Sequence, residues 1–264
     1  MRSGELMVTS VEITRERRSG IVAIIPARMG SSRFPGKPLA TILDKPMIEH
    51  VYLRTAACKM LAAAYVATCD KEIYEAVERF GGNAIMTSDK HERASDRVEE
   101  AVRNLNADIV VMVQGDEPTI VPHMIELALE PFLREREVMC SNLITRIKSL
   151  EELLDPNTIK VVRNRNGDAL YFSREPIPTR QLLGFGNIPV FKQVCVIPFR
   201  REFLTIYSQL EPSALEVAES IDMLRILEHG YRVRLVESPY DTCAIDTVSD
   251  LAKVERIMRN STFS

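Results

Sequence analysis

The chain has 264 residues, 45% of them hydrophobic and 27% charged, with a formal net charge of −3. That length can bury a substantial core, either as one large α/β unit or as two small ones. The near-neutral balance excludes the basic footprint of a general nucleic-acid binder, and no apolar run reaches the ~18 residues of a membrane span.

Residues 1–20 are polar and end in Arg15-Glu-Arg-Arg-Ser-Gly20. They lack the apolar segment of a secretory signal and read as a disordered leader. Ile21-Val-Ala-Ile-Ile25 is all apolar and is expected as a buried first strand. It opens into Pro26-Ala-Arg-Met-Gly-Ser-Ser-Arg-Phe-Pro-Gly-Lys-Pro38. This loop carries the cations Arg28, Arg33 and Lys37, the hydroxyls Ser31 and Ser32, and Gly30 and Gly36. Glycines let backbone N–H groups approach phosphate oxygens, and fixed cations neutralise them. The carboxyl end of the first strand is where α/β sheets bind nucleotides.

Pro46–Met60 has helical periodicity with Pro at the first position. Ala64–Cys69 reads as a second strand, Lys71–Phe80 as a helix stopped by Gly81-Gly82, and Asn83–Thr87 as a third strand. A helix over 94–105 precedes a buried strand, Asp108–Val113, which ends at Gln114-Gly-Asp-Glu-Pro118. Such alternation implies a mostly parallel sheet with helices on both faces. The second half is richer in strands: Val138–Ile144, Thr158–Arg163, Asp168–Ser173 and Val190–Phe199, with Asn164–Gly167 as a hairpin turn. Residues 180–189 read as a mobile loop. Ala214–Glu228 is expected as one helix ending at Gly230, Arg232–Glu237 as a strand, and Thr247–Asn260 as a helix capped by Thr247.

Asp116 stands at a strand's carboxyl end, beside the basic loop. A carboxylate there can hold Mg²⁺ against phosphate, or it can cap the following helix. Asp246, between a strand and the last helix, brings a second acidic group toward the same rim. Two carboxylates and a cationic loop compose a metal-dependent phosphoryl or nucleotidyl transfer site. The cysteines (Cys58, Cys69, Cys140, Cys195, Cys243) are scattered without metal-site spacing, as expected in a reducing compartment. Of the histidines, His123 reads as a surface or capping residue, and His50 and His229 have no partner motif.

The basic loop, Gln114-Gly-Asp-Glu-Pro118, Lys160-Val-Val, Ala169-Leu-Tyr-Phe-Ser-Arg174, Pro212-Ser-x-Leu-Glu216 and Asp246-Thr-x-x-Asp-Leu251 occur in an order that resembles 3-deoxy-manno-octulosonate cytidylyltransferase, or CMP-Kdo synthetase. The resemblance covers nearly everything after residue 20. It implies a three-layer, Rossmann-like, mostly parallel mixed sheet of the nucleotide-diphospho-sugar transferase type. A single domain over 21–264 would include a smaller strand-rich substrate and dimerisation subdomain near 138–200. The implied reaction passes CMP from CTP to the anomeric hydroxyl of a 2-keto-3-deoxy sugar acid, releasing pyrophosphate, in a cytoplasmic Mg²⁺-dependent homodimer. By motif, Arg28, Ser32, Arg33 and Lys37 would bind the triphosphate, with Thr68 and Arg97 near the base. Lys37 would offset charge on the leaving pyrophosphate, and Asp116 and Asp246 would hold magnesium.

The acceptor side matches the family at Gln114, Arg174 and Glu216, with Arg174 suited to the substrate carboxylate. Elsewhere it departs. His91-Glu-Arg-Ala-Ser-Asp-Arg97 carries Arg93, Ala94 and Ser95 where the family has Ser, Gly and Thr. Gln193 replaces a pocket His, Ile197 a Tyr, and Asp222-Met223 a Glu-Gln pair. Hydroxyls left unpaired against Ile197 or Met223 would cost ~1–3 kcal/mol each. The acceptor is thus Kdo with rearranged contacts, or a different acid: an amino-sugar variant, a sialic-type acid or a carboxylated phosphonate. A nucleotide-binding protein without turnover is the remaining alternative.

Overall fold

The computed structural model describes residues 20–30, 33–179, 184 and 186–260. Its centre is β1 (Ile21–Ala27), buried at all seven positions. Parallel neighbours are β4 (Ala63–Thr68) on one side and β6 (Ile109–Val113) on the other, with Val22 opposite Ala63 and Ile21 opposite Ile109. Beyond β4 lies β5 (Ala84–Met86), also parallel. Between β1 and β4 come a short hairpin, β2 (Thr41–Ile42) and β3 (Lys45–Pro46), and helix α1 (Met47–Ala56). Helix α2 (Lys71–Arg79) follows β4, and α3 (Ala94–Val102) follows β5.

Strand alternation decides the layers, because successive side chains of β1 point to opposite faces. Ile21, Ala23 and Ile25 join Ile48 and Val51 of α1, Ile73 and Val77 of α2, and Met124 to Leu129 of α4 (Pro122–Arg134). Val22 and Ile24 join Val98 and Val102 of α3, and Phe203 to Tyr207 of α6, named below. Two cores sandwich one sheet, as the alternating sequence pattern implied.

A second sheet is built from the later strands. β7 (Ser141–Arg146) follows α4, then come the short α5 (Leu150–Leu154), β8 (Lys160–Arg163) and β9 (Ala169–Ser173). β8 and β9 form the expected hairpin: the Asn164 side chain accepts from Asn166 N and Asp168 N, and Gly167 takes φ 86°. β10 (Phe191–Val194) pairs antiparallel with β7 and β8. β11 (Val196–Arg200) pairs antiparallel with β6 in the first sheet. Then follow α6 (Arg201–Gln209), α7 (Ala214–Glu219), α8 (Met223–Glu228), β12 (Arg234–Glu237), which runs parallel to β7, and α9 (Val248–Asn260). The strand orders are β11-β6-β1-β4-β5 and β12-β7-β10-β8-β9.

Several sequence expectations need correction. Val190–Phe199 is not one strand. It crosses from the second sheet to the first at Cys195, whose carbonyl accepts Gln114 N–H (3.0 Å) and whose N–H reaches Glu117 Oε1 (3.2 Å). Ala214–Glu228 is not one helix, since Ser220 adopts the left-handed conformation (φ 54°, ψ 50°) and ends α7. The buried Arg225–Glu216 pair, with both bonds 2.7 Å, requires this break. In a continuous helix nine residues would span roughly 13 Å of axis. The cap of α9 also differs, because Asp250 Oδ2 accepts the N–H groups of Asp246 (3.0 Å) and Thr247 (2.8 Å) and the Thr247 hydroxyl (2.9 Å). Helices α5 and α6 carry no counterpart in the sequence, and of α4 only its start at Pro122-His123 was expected. Of the leader expected over 1–20 all but Gly20, and of the loop expected over 180–189 residues 180–183 and 185, lie outside the described residues.

Candidate active site

The carboxyl ends of β1 and β6 face each other across one rim. Gly115 allows this approach, because a Cβ there would lie 2.9 Å from the Pro26 carbonyl. Gly36 turns the basic loop back with φ 74°, and its N–H bonds Met29 O (3.1 Å). Lys37 then starts a one-turn 3-10 helix and sends its ammonium inward. Lys37 Nζ donates to Asp116 Oδ2 (2.8 Å) and Ile245 O (2.8 Å), and stands 3.9 Å from Asp246 Oδ1. Arg33 Nη2 donates to Asp246 Oδ1 (2.7 Å), and Nη1 donates to Asn157 Oδ1. The segment carrying Asp246 is tied down by Ile245 N donating to Asp116 O (2.9 Å). Burial pushes the Asp246 carboxyl up, the Asp116 charge adds to this, and Lys37 and Arg33 oppose it. Two carboxylates thus converge on one ammonium, as the strand-end positions of Asp116 and Asp246 suggested.

Arg33, Lys37 and Asp116 open onto a cavity of about 570 Å³. Arg28, Arg33, Lys37, Gln114 and Asp116 form one wall, and Arg97 lines it too. Arg174, Gln193, Asp222 and Met223 lie on its perimeter as well. Arg28 is exposed, whereas Arg97 is 3% exposed and donates to Thr87 Oγ1 (2.5 Å) and Ser88 O (3.1 Å). The Arg174 guanidinium donates to the carbonyls of Glu219 (2.6 Å), Pro156 (2.9 Å) and Ser220 (3.4 Å). Gln193 Nε2 donates to Asn142 Oδ1 (2.5 Å), and Asn142 is itself fully buried. Ile197, Met223 and Met112 give this cavity a buried apolar patch.

Two expected site residues stand off the cavity wall. Thr68 is fully buried and its hydroxyl accepts Asp70 N–H (3.0 Å), which leaves it off the cavity wall. Glu216 is fully buried and paired with Arg225, so its carboxylate holds α7 against α8 and does not line the cavity. Ser32 lies outside the described residues.

Two further groups, Arg93 and Glu117, were given no role from the sequence. Arg93 enters the cavity, donates to Ser220 Oγ (3.1 Å), and lies 3.7 Å from both Glu216 and Asp222. Asp222 accepts the Ser95 hydroxyl (2.8 Å), and burial pushes its carboxyl up. Glu117, directly after Asp116, is buried at the strand crossing, and burial with the Asp116 charge pushes it up to about 7. These contacts depend on the chain crossing and the helix break, which leave no periodic signal.

A family model described as cytidylyltransferase matches residues 22–251. The chain belongs to the cytidylyltransferase family. It is therefore an enzyme of the nucleotidyltransferase class, with a Rossmann-like α/β fold. One similar protein is the 3-deoxy-manno-octulosonate cytidylyltransferase of Geobacter metallireducens, 45% identical over 249 residues, which are 90% of this chain and 98% of the relative. That of Solibacter usitatus is 42% identical over 241 residues, 91% of this chain and 95% of the relative. Among solved structures, a CMP:2-keto-3-deoxy-manno-octonic acid synthetase complexed with CTP superposes with a TM-score of 0.84 and 41% identity, covering 91% of this chain and 98% of its own. A 4-diphosphocytidyl-2C-methyl-D-erythritol synthase from Anaerococcus prevotii shares the fold alone, with a TM-score of 0.60 at 12% identity. Among the described residues no helix is long and apolar enough to cross a membrane.

Proposed function

We propose that the chain transfers CMP from CTP to the anomeric hydroxyl of Kdo, a 2-keto-3-deoxy sugar acid, and releases pyrophosphate. The observation that carries this reading is the convergence of Asp116 and Asp246 on Lys37 at the mouth of a cavity that also holds Arg174. Relatives of known activity, alike over nine-tenths of the chain, give the same chemistry.

Arg28, Arg33 and Lys37 line the end suited to a triphosphate, and Lys37 meets the charge that develops on the departing pyrophosphate. Catalysis of this kind rests on positioning and on fixed charges aimed at developing ones. Ser32 and Arg97 are assigned to nucleotide binding, together with Thr68 acting from beneath the wall. The donor set of Asp116 and Asp246 fits Mg²⁺: hard oxygen ligands, mutually repelling and half-buried, with Asp116 on the cavity wall and Asp246 beside it against Arg33 and Lys37. Magnesium is held by one or two carboxylates with substrate phosphates and water completing its shell. When bound it supplies charge neutralisation at phosphate and acidifies a coordinated hydroxyl. Gln114, Arg174, Gln193, Asp222 and Met223 are assigned to the acid, with Arg174 facing its carboxylate and Glu216 supporting them from below.

A second reading keeps CMP transfer and changes the acceptor. It is favoured by Ile197 and Met223, which present apolar surface where a polyhydroxylated sugar needs partners, and by Gln193, whose amide nitrogen is already engaged by Asn142. The enzyme is further proposed to be a cytoplasmic homodimer, single-domain over 21–264, with its subunit contact on the strand-rich part near 138–200.

Pyrophosphate release from CTP and Mg²⁺ tests the reading across a panel of Kdo, an amino-sugar analogue, a sialic acid and a carboxylated phosphonate. Turnover with Kdo in clear excess over the others is expected. Preference for another acid favours the second reading, and no release with any acid removes both.

A further inference from the structure

Lys160, on β8, is fully buried, and its ammonium meets no carboxylate in any ion pair among the described residues. Its neighbour in register, Lys192 on β10, is different: it pairs with Glu152 (2.5 Å) and Asp241 (2.9 Å). Lys160 Nζ instead donates to two main-chain carbonyls, those of Asp155 (2.7 Å) and Arg174 (2.5 Å). A charge taken from water without a directly paired carboxylate is costly; burial draws this ammonium's pKa below the ordinary lysine value, although the Asp155, Glu175 and Glu219 charges act against it. A methionine of similar length would pack there without that cost. The charge therefore has a use that packing does not explain.

Both of its acceptors bear on one residue. The Arg174 carbonyl takes Lys160, while the Arg174 N–H is taken by Glu219 Oε2 (2.8 Å), so opposite charges grip the peptide groups on either side of its Cα. The second acceptor, Asp155 O, belongs to a turn whose next carbonyl, Pro156 O, receives Arg174 Nη1 (2.9 Å). Lys160 thus fixes the backbone of Arg174 and the shelf on which its guanidinium rests.

We propose that Lys160 is a positioning residue that acts through Arg174 to set the enzyme's affinity for its acid acceptor. This rests on the assignment of Arg174 to the acceptor carboxylate. A guanidinium that binds a carboxylate through paired hydrogen bonds is sensitive to small displacements, and shifts of about 1 Å can cost up to ~100-fold in related settings.

Steady-state kinetics with Lys160→Met, Lys160→Gln, Arg174→Ala and the Lys160→Met/Arg174→Ala double variant test the proposal. In Lys160→Met the acceptor KM is expected to rise about tenfold while the CTP KM stays within about twofold, a loss confined to acceptor binding. Lys160→Gln retains two N–H donors and is expected to recover part of that loss. Arg174→Ala is expected to raise the acceptor KM at least as much, and the double variant no further, because one residue acts through the other. Equal changes in both KM values, additive effects in the double variant, or failure of both Lys160 variants to fold would overturn the proposal. An unchanged acceptor KM in Arg174→Ala would overturn the assignment of Arg174 and the proposal with it. Absence of wild-type turnover would instead remove the proposed function on which both depend.

Discussion

Lys37 holds one carboxylate and one carbonyl and stands close to a second carboxylate, an arrangement with little slack. In this charge cluster, loss of the Asp246 charge leaves Arg33 bonded to Asn157 and leaves Asp116 as the carboxylate paired with the ammonium. Asp246→Asn keeps the size of the side chain and is expected to lower kcat by ~10²–10³-fold, the scale of removing one aimed charge from a transfer site. The melting temperature is expected to stay near that of the wild type, since Asn keeps the volume and relief of the burial that pushes the Asp246 carboxyl up offsets the loss of its pairs with Arg33 and Lys37. Pyrophosphate release and a thermal melt on the same sample check both halves. Lys37, Asp116 and Asp246 were legible in the sequence because each sits in a recognisable loop: Lys37 in the basic loop after β1, Asp116 just beyond β6, and Asp246 between β12 and α9. Glu216 and Thr68 were assigned by motif position, and their burial follows from folding that a motif does not encode: the turn at Asp70 and the reach of Arg225 across a broken helix.

At the scale of elements, the regular pieces of the first half were readable because hydrophobic period and turn residues agree there. The second half conceals its boundaries. Val190–Phe199 alternates and runs on like one strand, yet hydrogen bonding divides it between two sheets at Cys195. The 214–228 pattern has helical period on both sides of Ser220, and only the left-handed residue reveals the break. Helix α9 is anchored by Asp250, whose carboxyl is pushed up by burial but held below its ordinary value by hydrogen bonds from Thr247 and Asp246. Because the folded pKa lies below the unfolded value, its stabilisation is present above about pH 4 and lost as pH falls through the folded value. Asp250→Ala is expected to lose ~1 kcal/mol at pH 7, typical of a lost helix cap, with the difference from wild type shrinking on acidification. Urea midpoints measured at pH 7, 5, 4 and 3 follow this directly.

For the whole molecule, the sequence implied one three-layer body with a strand-rich addition, and the two cores on either side of β1 agree with the layers. The order of strands in the second sheet was not legible, because β12 returns to pair with β7 from the far end of the chain. That sheet leaves β9 as an edge, with Leu170 60% exposed on it. If the proposed homodimer forms through this region, light scattering behind size exclusion is expected to give twice the 29.9 kDa chain mass. Leu170→Glu, which places charge on an apolar contact, is expected to shift the mass toward the monomer. A monomeric wild type would remove the dimer from the proposal.

The chain leaves the second sheet and enters the first at a single residue, Cys195, so the walls of the cavity descend from two different scaffolds. Gln193 stands on β10, whereas Asp116 stands beyond β6. Under the roles proposed above, a mutation at Gln193 redraws which acid is admitted, and one at Asp116 strikes the reaction itself. Descendants of such an ancestor can therefore exchange one acid for another by drift at the first, while the nucleotide chemistry is inherited intact.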